Sequence, residues 1–191
     1  MINIVPYDMS WPEAFIAVAR PLRTALGELA LRIDHIGSTS VPGLAAKDVI
    51  DVQVTLKDFS CTPQVVTALG SLGYTPVQEV TCDHVPPLYQ GSAADWEKRY
   101  FRQPAGLRRM HLHVRTLGRP NQRYPLLFRD YLRAHPVASA AYAQIKTSLS
   151  KLHPGDVDFY YAIKDPLCDI VIDAAEGWVQ VTGWQMGPSD I

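Results

Sequence analysis

The stretch HIGSTSVPGLAAKDVIDVQV, His35 to Val54, sets a glycine-serine turn between two extended segments, the second of which carries Asp51. Ahead of the turn, LRIDHI alternates apolar and polar residues. After it, VIDVQVTL alternates more clearly, with Ile50, Val52, Val54 and Leu56 on one face and Asp51, Gln53 and Thr55 on the other. Gly37-Ser38-Thr39-Ser40 therefore reads as a loop between two strands. Its amides and hydroxyls suit an anion nest, with Gly37 allowing close approach of the backbone; a Ser/Thr turn held by local hydrogen bonds fits the same residues. The stretch is not a P-loop, because Gly43 is followed by Leu44 and Lys47 lacks the trailing Ser or Thr, which excludes a Walker-type ATPase.

On the strand, Asp51 and Gln53 share a face. Two carboxylates at that spacing would reach one pair of hard cations and neutralise charge at a reacting phosphate. Gln53 offers only a neutral amide oxygen, and Asp48, three residues from Asp51, points to the opposite face. His111 and His113 in HLHV also share a face. If that face adjoins Asp51, a mixed nitrogen-oxygen site results, suited to zinc, manganese or nickel over magnesium. Structural hydrogen bonding, or contact with a substrate phosphate, would equally employ both histidines.

Working outward, Ser10-Trp11-Pro12-Glu13 has the form of a capping box, and Phe15, Ala19, Leu22, Leu26 and Leu29 follow at helical spacing, with Pro21 set to kink or divide the helix. Thr62 to Leu72 reads as a second helix ended by Gly73, and YTPVQEV as extended chain. Residues 81–94 form a loop, and WEKRYFR and RMHLHVR form a hairpin around Gly106. From Asn121 the pattern is helical: Tyr124, Phe128, Tyr131 and Leu132 share a face, Pro136 interrupts, and Ala141, Ile145, Leu149 and Leu152 continue. A last helical region runs from about Asp156 to Trp178, with Asp165-Pro166 as a restart after a break. Strands early and helices late argue for an α/β (α+β) fold with one sheet covered by helices.

Composition fits this reading. At 191 residues, 47% hydrophobic and net charge −1, the chain is expected to be one domain over residues 1–191. No apolar run approaches a membrane span, and MINIVPYDMSWPEAF lacks the layout of a signal peptide, so a cytoplasmic location with no membrane partner is expected. Cys61, Cys82 and Cys168 are odd in number and form no CxxC pair, which argues against a disulfide framework or zinc knuckle. Between Lys98 and Arg133 stand ten basic residues against the single acid Asp130. That surplus suits a phosphorylated small molecule, a nucleotide or RNA; it also suits a solvated face paired with acids elsewhere.

With these residues in view, the chain resembles the GrpB family, which is assigned to the nucleotidyltransferase superfamily and whose domain also occurs fused to dephospho-CoA kinase. The resemblance rests on HIGSTSVPGLAAK (His35 to Lys47) followed by IDV (Ile50 to Val52), on HLHV (His111 to Val114), on FRDYLRAHP (Phe128 to Pro136) and on the Tyr160/Lys164 spacing in YYAIK. It implies a nucleotidyltransferase-like fold, a short mixed sheet backed by C-terminal helices. It also implies that Gly37 and Ser38 hold phosphates, that the first acid falls on Asp51, and that the second acid position is Gln53.

Three readings follow. In the first, a nucleotidyl or phosphoryl group is transferred: Ser38, Thr39 and Ser40 meet the phosphates, Asp51 and a histidine, His113 or His111, hold one divalent metal (Mg, Mn or Zn), and Lys47, Arg129, Arg133 and Lys164 neutralise charge. In the second, the cleft binds a nucleotide or RNA element without catalysis, as a sensor or accessory domain. In the third, Asp51, His111 and His113 form a metal-dependent hydrolase. Each basic residue has a plain alternative as a surface charge, and Tyr131, Tyr142 and Tyr160 read as core and not as base-stacking residues.

Overall fold

A computed structural model describes residues 2–191. Strand β1 (Arg32–Ile36) pairs antiparallel with β2 (Ile50–Leu56), which runs parallel to β5 (Met110–Thr116); β5 pairs antiparallel with β4 (Arg99–Arg102), and β4 with the short β3 (Thr75–Pro76). The sheet order is β1-β2-β5-β4-β3, and β4-β5 is the expected hairpin. The one parallel pair among the described residues matters most here, because its register sets Asp51 beside His111 and Gln53 beside His113.

Alternation gives the sheet two chemically different faces. Ile50, Val52, Val54 and Leu56 of β2 and Met110, Leu112 and Val114 of β5 pack with α1 (Trp11–Leu26) and α2 (Thr62–Ser71) in one core, which includes Trp11, Phe15, Leu22 and Leu69. Full burial of each large apolar side chain there contributes about 1.5–3 kcal/mol, and truncation of Leu22 to alanine would cost about 2–5 kcal/mol. The opposite face bears Asp51, Gln53, His111, His113 and Arg115. Helices α3 (Pro120–Ala134), α4 (Pro136–Leu152) and α5 (Val157–Thr182) close over it, with a smaller core of Val41, Leu44, Phe128, Leu132, Tyr142 and Val171.

Several local expectations need correction. Ser10 makes no side-chain cap; instead Asp8 accepts the Ser10 amide through its carboxylate (2.8 Å) and the Trp11 amide through its carbonyl. Pro21 does not divide α1, and Pro166 lies inside an unbroken α5. In both cases buried residues flank the proline, Ala19 and Leu22 in the first and Tyr160 and Cys168 in the second, so tertiary packing outweighs one lost backbone bond. On α4 the buried side is Ser139, Tyr142, Lys146 and Ser150, whereas Ile145 and Leu152 are exposed. That helix presents its polar stripe inward, the reverse of the usual amphipathic arrangement.

The basic run is largely paired. Arg115 and Lys98 meet Asp83, Arg99 meets Glu97, Arg119 meets Asp95, Arg123 meets Glu176, and Arg129 meets both Asp130 and Asp190. The residues after α5 return along the outer edge of β1. There Ser189 Oγ accepts the Ile33 amide (2.9 Å), Asp190 accepts the His35 amide (2.8 Å), and the Ile191 amide donates to the Ile33 carbonyl. No helix among the described residues is long and apolar enough to cross a membrane.

Candidate functional site

The polar face of β2 and β5 opens into a cleft beneath α3, α4 and α5. It has two lobes, of about 510 and 260 Å³, which meet at Ser38, Asp51, Asp83, His113 and Lys164. The larger lobe is cationic and aromatic, walled by Lys47, Lys98, Lys146, Tyr100, Tyr160 and Tyr161. The smaller is mostly apolar, walled by Ile36, Trp96, Tyr124, Phe128, Tyr142 and Cys168.

At the junction, Asp51 Oδ1 accepts a hydrogen bond from His111 Nδ1 (2.8 Å) and lies 4.0 Å from His113 Nε2. One ligand atom from each of these residues fits within 4.8 Å of the others, so the three can grip a single ion. Burial, then the charges of Arg115 and Lys98, hold the His113 imidazole well below its ordinary pKa and therefore neutral, the form in which histidine is a ligand. His113 Nδ1 is buried without a hydrogen-bond partner among the described residues. Gly37 closes the back of the cluster. Its φ is +72°, and a Cβ there would stand 2.2 Å from Asp51 Oδ2. Glycine is thus required both by backbone conformation and by the close approach of the carboxylate.

The second acid position is occupied differently. Gln53 is fully buried; its amide donates to the Gln122 carbonyl (3.0 Å) and its oxygen accepts from Arg115 Nη1 (2.7 Å). Arg115 also forks Asp83 (2.7 and 2.9 Å), which Lys98 (2.7 Å) and Asn121 (3.1 Å) bind as well. Burial would raise the Asp83 carboxyl, but the Arg115 fork and the Lys98 ammonium outweigh it and hold it far below the carboxylate range. A fixed guanidinium therefore stands beside the place where a second cation would need a carboxylate.

The turn residues divide. Ser38 faces both lobes and accepts from Lys146 Nζ (2.8 Å). Thr39 and Ser40 turn their hydroxyls inward, Thr39 between His35 Nε2 (3.0 Å) and the Val49 carbonyl, Ser40 to the Gly37 carbonyl (2.6 Å). Among the basic residues, Lys47 and Lys164 line the cleft, with Lys47 Nζ 4.3 Å from the Tyr160 ring centre. Arg129 and Arg133 do not. Arg129 donates to the His35 carbonyl and to Asp190, and Arg133 donates to the Ser40 carbonyl (2.7 and 3.1 Å), so they brace the turn from behind instead of meeting a ligand.

Sequence reasoning does not find Asp83, Lys98 or Trp96 as site residues, reads Tyr142 and Tyr160 as core, and weighs Lys146 only as one basic residue among others with a surface alternative. Asp83 sits in a loop without a period and gave no signal. Lys146 did give one, since Tyr142, Lys146 and Ser150 fall at helical spacing on one stripe of α4. Trp96 is buried, lines the smaller lobe and leaves Nε1 without a partner among the described residues.

The GrpB protein family matches residues 1–174. A dephospho-CoA kinase of Mycolicibacterium paratuberculosis is 36% identical over 196 residues, covering 96% of this chain and 48% of the relative. The UPF0157 protein BH1888 of Halalkalibacterium halodurans is 32% identical over 176 residues, covering 91% and 82%. The chain thus spans about half the length of the dephospho-CoA kinases it matches. Among solved structures, conserved protein GrpB from Enterococcus faecalis superposes with a TM-score of 0.75 at 29% identity over 92% of this chain and 99% of that one. The Cid1 poly(U) polymerase, solved with MgGTP, superposes with a TM-score of 0.50 at 14% identity over 75% of this chain and 43% of that one, a likeness of fold alone. A mixed sheet of this order, a glycine-serine turn ahead of the acid strand and a match along most of its length lead to one conclusion: the chain belongs to the GrpB family and has a nucleotidyltransferase-like fold.

Proposed function

We propose that this protein binds a nucleotide or comparable phosphorylated ligand in the two-lobed cleft and transfers a nucleotidyl or phosphoryl group from it with the help of one divalent ion. The observation that carries this reading is the meeting of a cationic lobe and an aromatic lobe at Asp51. Phosphates suit the larger lobe, where Ser38, Lys47, Lys146 and Lys164 converge. A planar base suits the smaller, whose wall includes the rings of Trp96, Tyr124, Phe128 and Tyr142. Asp51, His111 and His113 would hold the ion, and a mixed nitrogen-oxygen set favours manganese or zinc over magnesium. Bound there, the ion supplies charge stabilisation at the reacting phosphorus. Arg115, bonded to Gln53, and Lys98 share the single carboxylate of Asp83, so this group leaves one net positive charge beside the cleft that does not depend on a second ion.

The test is thermal unfolding against nucleoside triphosphates, inorganic phosphate and short RNA, each with manganese, zinc, magnesium or chelator, followed by a turnover assay on any pair that binds. A folded-state ligand raises the melting temperature. A shift that requires nucleotide and metal together, with product formed, supports transfer. A metal-independent shift without turnover supports a second reading, a non-catalytic sensor or accessory domain, which the replacement of an acid by Gln53 favours. No shift with any of them would defeat both.

A further inference from the structure

We propose that Ser38 and Lys146 form a nucleophile and general-base pair, with Ser38 Oγ taking up a phosphoryl or nucleotidyl group covalently. This goes beyond ligand binding. It uses the same cleft, but neither the metal cluster nor a nucleotide is needed for the pair to act.

The geometry has the parts that an activated serine requires. Lys146 Nζ lies 2.8 Å from Ser38 Oγ and 2.8 Å from the Ala45 carbonyl oxygen, with the Tyr142 ring centre 4.5 Å away. A carbonyl can only accept, so one N–H of the amine is committed to Ala45. In the neutral amine the lone pair is then free to take the Ser38 proton. Lys146 is only 2% exposed, and among the described residues no carboxylate bonds to it; Asp51 and Cys168 favour its charged form, and Lys164 and Lys47 oppose it. Burial, then the nearby Lys164 ammonium, push it down to about 7, so a large fraction is neutral near pH 7. Ser38 differs from its neighbours in the turn, since it lines both lobes and its hydroxyl meets Lys146, while the hydroxyls of Thr39 and Ser40 bond to His35, the Val49 carbonyl and the Gly37 carbonyl. On the buried side of α4, Tyr142 packs in the smaller core, whereas Lys146 carries a polar head inward and sets an amine under the turn.

In the step, Ser38 Oγ attacks phosphorus and the O–P bond forms. The bond from phosphorus to its leaving group breaks, the Ser38 proton passes to Lys146 Nζ, and the ammonium returns it to the leaving group. Lys47 and Lys164 stand by to balance the charge on the phosphoryl oxygens. Transfer to water or an acceptor hydroxyl regenerates the serine.

The experiment uses a fluorophosphonate probe on the metal-free full chain, read by intact mass and peptide mapping; here the P–F bond breaks and fluoride leaves. One adduct on Ser38 is expected, forming faster as pH rises with a midpoint near 7. Ser38→Ala should take no label, and Lys146→Arg, which keeps the charge without titrating near neutrality, should label about 100-fold more slowly. Circular dichroism establishes that each variant is folded. If Lys146→Arg fails to fold, the wild-type pH profile at Ser38 decides by itself. No adduct, an adduct elsewhere, or a Ser38 rate flat across pH 6 to 8 would overturn the proposal. Because no nucleotide or metal is present, this outcome is separate from that of the ligand screen.

Discussion

Arg115 Nη1 stands 2.7 Å from the side-chain oxygen of Gln53, two residues whose strands run parallel side by side. The pair is completed by Asp83, which reaches in from a loop to meet both nitrogens of the guanidinium fork. All three are buried or nearly so, and the glutamine amide is satisfied on both sides, by Arg115 and by the Gln122 carbonyl.

Removal of Arg115 should therefore be costly. In Arg115→Ala, Asp83 keeps Lys98 but loses its bidentate partner, and Gln53 loses its donor. A loss of about 3–5 kcal/mol is expected, as for a broken buried pair. Urea titration checks it, and a loss below about 1 kcal/mol would show that the guanidinium is dispensable to the fold.

Stability should also fall on acidification in two stages. His35 is stacked on Phe15 at 4.7 Å and bonded to Thr39, and burial pushes its imidazole down to about 4. The folded state thus binds fewer protons than the unfolded one, so the contribution of His35 is full above pH 6.5 and declines by about 3 kcal/mol as pH drops toward 4. Asp83, with its pKa depressed, contributes above the ordinary carboxylate value and loses that contribution only at still lower pH. In His35→Leu the slope between pH 6.5 and 4 should lessen, with His113, also held neutral by burial, supplying the remainder, while the steeper loss below pH 4 should persist, as measured by urea midpoints across pH.

Gly37→Ala tests the cradle of the acid. The backbone there, φ +72° with ψ −174°, is a region essentially reserved for glycine and costs an L-residue about 1–3 kcal/mol. The new Cβ would also collide with Asp51 Oδ2, Cγ and Cβ, at 2.2, 2.8 and 2.9 Å. We expect the variant to be destabilised by more than about 2 kcal/mol and to lose metal binding, because the carboxylate must leave its position. Metal binding that survives unchanged would place the ion elsewhere.

The metal cluster itself predicts stoichiometry. After equilibration with zinc or manganese and removal of free ion, elemental analysis should find about one ion per chain, with magnesium retained poorly. Asp51→Asn and His113→Ala should each reduce this to background while the folded circular dichroism spectrum is kept. Equal occupancy in the variants would remove these residues from the site.

The sequence carried the face-by-face logic of the sheet, because alternation at Ile50 to Leu56 and at Met110 to Thr116 depends only on local period. It also singled out Asp51, His111 and His113, although only the parallel pairing of β2 with β5 brings them together. That pairing is a long-range fact with no local signal. Asp83 was invisible for the same reason: its role depends on where a periodless loop lands. Arg129 and Arg133 illustrate the opposite error. Their charge invited a phosphate role, but the carbonyls of His35 and Ser40, and Asp190 far along the chain, consume their donors. Lys146 reads from sequence as one more surface charge because lysine on a helix is usually solvent-exposed, and only the fold shows that its side of α4 turns inward.

The chain that returns along β1 has a further effect. The outward amides of Ile33 and His35, which a neighbouring molecule would need to extend the sheet, are occupied by a serine hydroxyl and a carboxylate. Side-chain atoms occupy these bonding positions without offering the next row of amides and carbonyls. The sheet is thereby finished on that side by its own covalent continuation, and recruitment of a foreign strand there would first require Ser189 and Asp190 to be peeled away.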